Sequence, residues 1–273
     1  MSKSARYCVY LLLLGILLTA CNGSPAATPT STPTPDAKKL LNTAAGQVQN
    51  SKSLRFKLQR TGAPAYVDNS NLIEFVTTNG NYLEPSSVSG TVVARIGGIA
   101  GEVEIVAIGD DQWYKNAILT ANHWVKALFA PGFNAAKLIK SDEGIQSALN
   151  AIKNLKYIGQ EDVFGTPMYH LTGDAAAADV SALTVGLIKG ADTVIDIYIV
   201  VETGRVDHVV IVQPLTVTDQ YPDPTKWTLE IYDYDATDIK IVPPENADVP
   251  VAATPVMAGS PTPIPTVGSL NPS

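Results

Sequence analysis

Apolar residues form one continuous run near the start of the chain and then settle into two different rhythms. Leu11–Leu18 is apolar apart from Gly15. From Ala37 to Val48 the apolar positions are 37, 40, 41, 44, 45 and 48, the spacing of one helix face, with Asp36 placed to cap it. At Leu54 the period drops to two. Leu54, Phe56 and Leu58 alternate with Arg55, Lys57 and Gln59, which predicts a half-buried strand. Further strands are expected at Leu72–Thr78, Asn81–Glu84, Ser87–Ile96, Glu102–Ile108, Gln112–Asn116 and His123–Leu128, with Asn79-Gly80 as a hairpin turn and Gly97–Gly101 as another. The helical rhythm returns over Asn134–Asn154, where Gly144 should break it in two. Leu155–Val163 and Thr166–Gly173 read as a hairpin over Phe164-Gly165. Asp174 or Asp179 is expected to cap a short helix reaching Ile188. Thr193–Val201 and Arg205–Gln213 form a second clear hairpin, turning at Glu202-Thr203-Gly204. Lys226–Tyr234 sets Trp227, Leu229 and Ile231 on one face, and Asp238–Val242 is expected to end the domain.

These elements predict an α+β domain whose strands pair mostly neighbour to neighbour in a large antiparallel sheet. One face of such a sheet is apolar and needs a cover. Three modest helices are the material available, so a long curved sheet wrapped around a few helices is expected, with a gap between the layers. The folded domain is placed at 36–243. Residues 21–35 are rich in Thr and Pro and read as a tether. At about 3.1 Å per residue such a linker reaches roughly 30–40 Å, and its Thr/Ser/Pro mix suits O-glycosylation. Residues 244–273 are again Pro-rich and are expected to be disordered, with Val249–Met257 the stretch best able to pack locally.

The early apolar run changes the picture. Lys3 and Arg6 precede it, and Leu18-Thr19-Ala20-Cys21 ends it before a polar Asn-Gly-Ser. A basic start, a short apolar run and small residues make a secretory signal peptide over residues 1–20. The run is shorter than the roughly 20 apolar residues needed to span a bilayer. Leu18–Cys21 also resembles the bacterial lipoprotein signal. In that signal the cysteine takes a diacylglyceryl thioether and becomes the mature N-terminus, here Cys21. The expected location is therefore the outward face of the cell membrane, within the cell envelope, with the protein held by its lipid. Loss of residues 1–20 removes two bases and no acid, which takes the formal charge from −7 to −9. That surface repels phosphate backbones and excludes nucleic acid as a natural partner. Cys8 leaves with the signal and Cys21 is lipidated, so no disulfide is expected and stability must come from the core.

Catalytic signatures are absent from the sequence: it carries no nucleophile elbow, P-loop, dinucleotide fingerprint or metal motif. His123, His170 and His208 are widely separated and read as structural or surface residues. Asp233, Asp235 and Asp238 lack the glycine and terminal glutamate of a calcium loop and read as a solvated face. Trp113, Trp124 and Trp227 read as core, with sugar stacking as the rival. The expectation is therefore a non-enzymatic protein without metal or cofactor.

Leu155–Val242 resembles the LppX/LprA/LprF/LprG lipoprotein family. The matching features are the hairpin Tyr157–Leu171, the Ala-rich helix after Asp174, and the strand Ile195–Val201 turning at Thr203-Gly204. The resemblance implies a LolA/LolB-like half-open β-barrel with helices on its concave side and a hydrophobic cavity. It also implies carriage of an acylated lipid or glycolipid from the plasma membrane, in some members beside a membrane transporter. It supplies no catalytic set. On this reading the cavity-facing candidates are Phe56, Leu58, Val92, Ala94, Val103, Ile105, Ile195, Ile197, Leu229 and Ile231. The alternatives are a sensor or adaptor lipoprotein that binds a protein partner, and a cell-surface sugar-binding protein.

Overall fold

The computed structural model describes residues 34–128, 136, 139, 144–190 and 192–248. The chain opens with helix α1 (Ala37–Asn50). The Asp36 carboxylate accepts from the backbone N–H groups of Lys38 and Lys39 at 2.9 and 3.1 Å, as its place before the helical rhythm predicts. Six strands follow: β1 (Ser53–Thr61), β2 (Ile73–Leu83), β3 (Ser87–Ile96), β4 (Ile99–Ile108), β5 (Asp111–Lys115) and β6 (Val125–Lys126). A short helix α2 (Ile145–Asn150) leads into β7 (Lys153–Val163) and β8 (Thr166–Ala175). Helix α3 (Ala177–Val180) runs on into a 3₁₀ turn, Ser181–Thr184. Strands β9 (Thr193–Val200), β10 (Val206–Gln213) and β11 (Thr225–Tyr232) complete the domain.

All eleven strands join one antiparallel sheet in the order β6-β5-β4-β3-β2-β1-β11-β10-β9-β8-β7. Each half of the chain is a meander. The two meanders join where β1 pairs with β11, from Arg55 opposite Tyr232 to Thr61 opposite Lys226. Cross-strand register fixes the two faces. On the inner face Leu171, Ile197, Val209, Leu229, Leu58, Thr78, Val92 and Val103 lie in one row across the sheet. The outer row alongside it runs His170, Tyr198, His208, Glu230, Lys57, Asn79, Thr91 and Glu104. Helix α1 turns Leu41, Ala44, Ala45 and Val48 to the core, and α2 adds Ile145, Ala148 and Leu149. Fully burying one such aliphatic side chain contributes roughly 1.5–3 kcal/mol, so this layer and the inner face hold each other in place.

Several local expectations are corrected. Asn79-Gly80 is not a turn: β2 runs straight through it, and Gly80 stands between Phe56 and Gly90 in the sheet. The missing side chain serves packing there rather than chain reversal. The β3–β4 turn is the pair Gly97-Gly98, with φ of 58° and 84°, so β4 begins at Ile99, three residues earlier than expected. Of His123–Leu128 only Val125–Lys126 is strand. Strand β8 extends through Ala175, so Asp174 lies in the sheet and accepts from Asn154 Nδ2 at 2.9 Å instead of capping a helix. Asp179 sits inside α3. The helical stretch then stops short of Ile188, because Val185 and Gly186 adopt left-handed φ of 54° and 81°. Asp238–Val242 forms no regular element. The expected first part of the helix over Asn134–Asn154, the signal, the tether up to residue 33, and Val249–Met257 lie outside the described residues, except for positions 136 and 139 within a helix.

Candidate functional site: an apolar gap between sheet and cover

Leu54, Phe56 and Leu58 of β1, with Tyr82 of β2 and Leu229 and Ile231 of β11, form the floor of a small cavity. Ile139, Ile145, Ala182, Leu183 and Val185 roof it. Its volume is about 30 Å³ and its lining is apolar. Period-two alternation places the floor residues on one face, and the β1–β11 ladder sets Phe56 opposite Ile231 and Leu58 opposite Leu229. Phe56 needs space beside β2, which Gly80 provides: a Cβ there would meet the Phe56 ring and the Ser89 carbonyl. Gly90 continues this bare strip, since a Cβ on it would collide with the Asn79 carbonyl.

One end of the inner face is plugged. The rings of Trp227 and Phe75 lie 5.6 Å apart, and Trp227 Nε1 donates to Gln213 Oε1 at 3.0 Å. Arg60 belongs to the same face by alternation and is buried. Its guanidinium donates to the carbonyls of Phe75, Gly62 and Ala63 at 2.8–2.9 Å and pairs with Glu74. Burial pushes the Arg60 pKa down, against the opposing pull of Glu74.

The ten sequence candidates divide by place. Phe56, Leu58, Leu229 and Ile231 line the cavity. Ile195 and Ile197 share the inner face but are fully buried in the packed core and do not line it, because β9 and β10 lie against the main body of the sheet and cover. Val92, Ala94, Val103 and Ile105 are half-buried on the β3–β4 wing, where the inner face continues past the cavity. The sequence reading missed Leu54 and Tyr82, which the same alternation marks, and the roof, which no single-strand pattern reveals. Cys21 lies outside the described residues.

Of the other candidates, His123 is exposed. His170 and His208 do come together, stacked on either side of Tyr198 at 4.5 and 4.2 Å on the outer face. Glu161 and Asp196 contact His170, and Asp207 contacts His208. No group of three or more His, Cys, Asp or Glu is arranged to hold a metal ion among the described residues. Arg55 pairs with Asp233 and Asp238 at 2.7 Å, and Arg205 pairs with Asp235 at 2.9 Å. Hydrogen bonding from Arg55 lowers the Asp238 pKa. Trp113 and Trp227 are buried, and Lys115 lies over the half-buried Trp124 ring at 5.3 Å. Among the described residues no helix is long and apolar enough to cross a membrane.

Comparison with known proteins agrees with this architecture. The model of the LppX_LprAFG lipoprotein family matches residues 36–241. The lipoarabinomannan carrier protein LprG of Mycobacterium tuberculosis is 26% identical over 185 residues, covering 66% of this chain and 74% of that protein; the LprG of Mycobacterium bovis matches equally. The crystal structure of LprF from Mycobacterium bovis superposes with a TM-score of 0.57 at 15% identity, covering 78% of this chain and 99% of that one. LppX of Mycobacterium tuberculosis gives a TM-score of 0.50 at 15% identity, covering 76% and 98%. The open eleven-stranded antiparallel sheet of this chain is thus similar in fold to LprF and LppX, and by its sequence the chain belongs to the LppX_LprAFG lipoprotein family.

Proposed function

We propose that the protein is a lipid-anchored, extracytoplasmic carrier that binds an acyl chain of a lipid or glycolipid between sheet and cover and moves it from the plasma membrane. The observation that carries this reading is the apolar inner face. It begins in the Phe56–Leu58 cavity and continues, half-covered, onto Val92, Ala94, Val103 and Ile105. Small-molecule sites usually enclose roughly 300–1,000 Å³, so the cavity of about 30 Å³ has to widen to take a chain. An acyl chain enters when the roof formed by α2 and the 3₁₀ turn lifts from the sheet. Transfer of apolar area from water drives it, at about 25 cal/mol per Å². No reacting group is required, and the protein acts as a carrier and not as an enzyme. Cys21 supplies the anchor, and a membrane transporter is the partner this role invites. The carrier name of the LprG relatives supports the same reading. The deciding experiment is mass spectrometry of an organic extract from the chain beginning at residue 21 with Cys21→Ala, purified from a lipid-producing host. Stoichiometric acylated lipid is expected. A lipid-free protein that also takes up no fluorescent acyl probe overturns the proposal.

A further inference from the structure

Exposed aliphatic side chains gather at the end of the sheet where β3 stops and β4 starts. Ile96 and Ile99 flank the Gly97-Gly98 turn and are 55% and 74% exposed. They are paired across the hairpin, and Ile96 is also opposite Ile73, which follows the exposed Leu72. The loop leaving β5 carries Ile118 and Leu119, exposed by 84% and 67%. Asn116 holds that loop against β4. Its Oδ1 accepts from the N–H groups of Ile118 and Leu119 at 2.9 and 2.8 Å, and its Nδ2 donates to the Glu102 carbonyl at 2.7 Å. Five exposed aliphatics therefore stand on three neighbouring turns. Stretches 70–73, 96–101 and 116–122 contain no charged residue.

These tips are continuous with the inner face. Strand β3 alternates Val92, Ala94, Ile96 and β4 alternates Ile99, Gly101, Val103, all on the side of Leu58. Between the tip and the Val92–Val103 pair lie only Ala94 and Gly101, opposite one another, and the space over Gly101 is open. A shallow apolar trough therefore leads from the exposed tip toward the cavity, while Trp227, Phe75 and Arg60 plug the inner face beside it.

We infer that the β3–β4 tip, with Ile118, Leu119 and Leu72, dips into the hydrocarbon edge of a lipid bilayer, and that the Ala94–Gly101 trough is the path of the acyl chain. The inference deepens the carrier reading and rests on it for the trough. A bilayer is the occupant because the tips are aliphatic and uncharged, and because the trough behind them accepts what a bilayer contains. The chain outside the structure fits as well. The thirteen residues from Cys21 to Pro33 reach roughly 40 Å at about 3.1 Å per residue, enough slack for a tethered domain to turn its tip to the surface that holds it.

Two reporters test this in the chain from residue 21 with Cys21→Ala. Ile99→Trp should shift its fluorescence to the blue on phosphatidylcholine vesicles and be quenched by brominated acyl chains. Ile96→Ser/Ile99→Ser should weaken vesicle partitioning at least about tenfold, as the loss of two inserted aliphatic side chains requires. It should leave the thermal unfolding transition and the equilibrium uptake of a soluble acyl probe unchanged. An unshifted, unquenched Ile99→Trp reporter overturns the docking, whatever the uptake result. A wild-type chain that docks but takes up no probe overturns the carrier reading and the trough alone. A chain that is dimeric in solution and made monomeric by the serine pair has a second copy on its tip, which also overturns the proposal.

Discussion

The ring of Phe56 occupies the space that a side chain on Gly80 would fill. Because Phe56 lines the cavity, a methyl group added at Gly80 would press on a residue of the cavity floor. Gly80→Ala is expected to cost about 1–3 kcal/mol in urea unfolding, through overpacking of a site closed by both the ring and the Ser89 carbonyl. Adding Phe56→Ala should cost less than the sum of the two single changes, since the ring and the new methyl compete for one space. Strict additivity would show that the two residues are not coupled.

Ala94→Trp tests the trough. Ala94 is half-buried and faces Gly101, whose Cβ position is open, so the indole has somewhere to lie. Stability should change by no more than about 1 kcal/mol, while acyl-probe affinity falls at least tenfold, a loss of about 1.4 kcal/mol. Paired denaturant and probe titrations read the two effects separately.

Arg60→Met should be among the most damaging single changes in the sheet. It strips the carbonyls of Gly62, Ala63 and Phe75 of a buried donor and leaves Glu74 with only the more distant Arg95 at 3.4 Å. Leaving a buried acceptor without its donor costs roughly 1–3 kcal/mol, and three carbonyls lose theirs here. Arg60→Lys should rescue little, because an ammonium cannot reproduce the fork. Chemical denaturation of the three proteins makes the comparison.

Asp68 ties the loop before β2. The Ser70 hydroxyl first, then the Ile73 N–H at 2.7 Å and the Leu72 N–H, hold its carboxyl at about 2 against the ordinary 3.8. A depressed acid contributes its stabilisation fully above the unfolded value and loses it as pH falls through the folded one. The Leu72 and Ile73 amides should therefore keep their hydrogen-exchange protection at pH 4 and lose it as pH drops toward 2, with the Asp68 carboxyl carbon titrating in step. Asp68→Ala should lower that protection at neutral pH and abolish its acid dependence.

Cys21→Ala in the full-length chain should prevent lipid attachment and leave the protein unprocessed or released from the membrane. Processed Cys21→Ala protein that still sediments with membranes at high salt would place the anchor elsewhere.

What the sequence disclosed was local. Trp227, Leu229 and Ile231 betray their shared face by simple alternation, and the turns at Phe164-Gly165 and Thr203-Gly204 follow from short glycine-bearing breaks between apolar runs. Asn79-Gly80 has the same local signature, but the need for a bare patch beneath Phe56 comes from a strand more than twenty residues away. Arg60 was equally opaque. It breaks an apolar alternation, and the acceptors that justify it come from residues 62, 63, 74 and 75. The half of the cavity built from roof residues was not legible, because those side chains converge only after the sheet has formed.

The single seam between β1 and β11 has a kinetic consequence. Among the described residues every other pairing of named strands joins strands adjacent in sequence and closes after a short excursion of the chain; the bridge from Val125 to Asp248 lies outside them. The seam must bring Arg55 to Tyr232 across most of the domain. Loop-closure entropy and contact order make such a ladder the slow event. Until that ladder closes, the apolar inner faces of the two meanders lack their common cover, so its closure is expected to govern both the folding rate and how long apolar surface stays exposed.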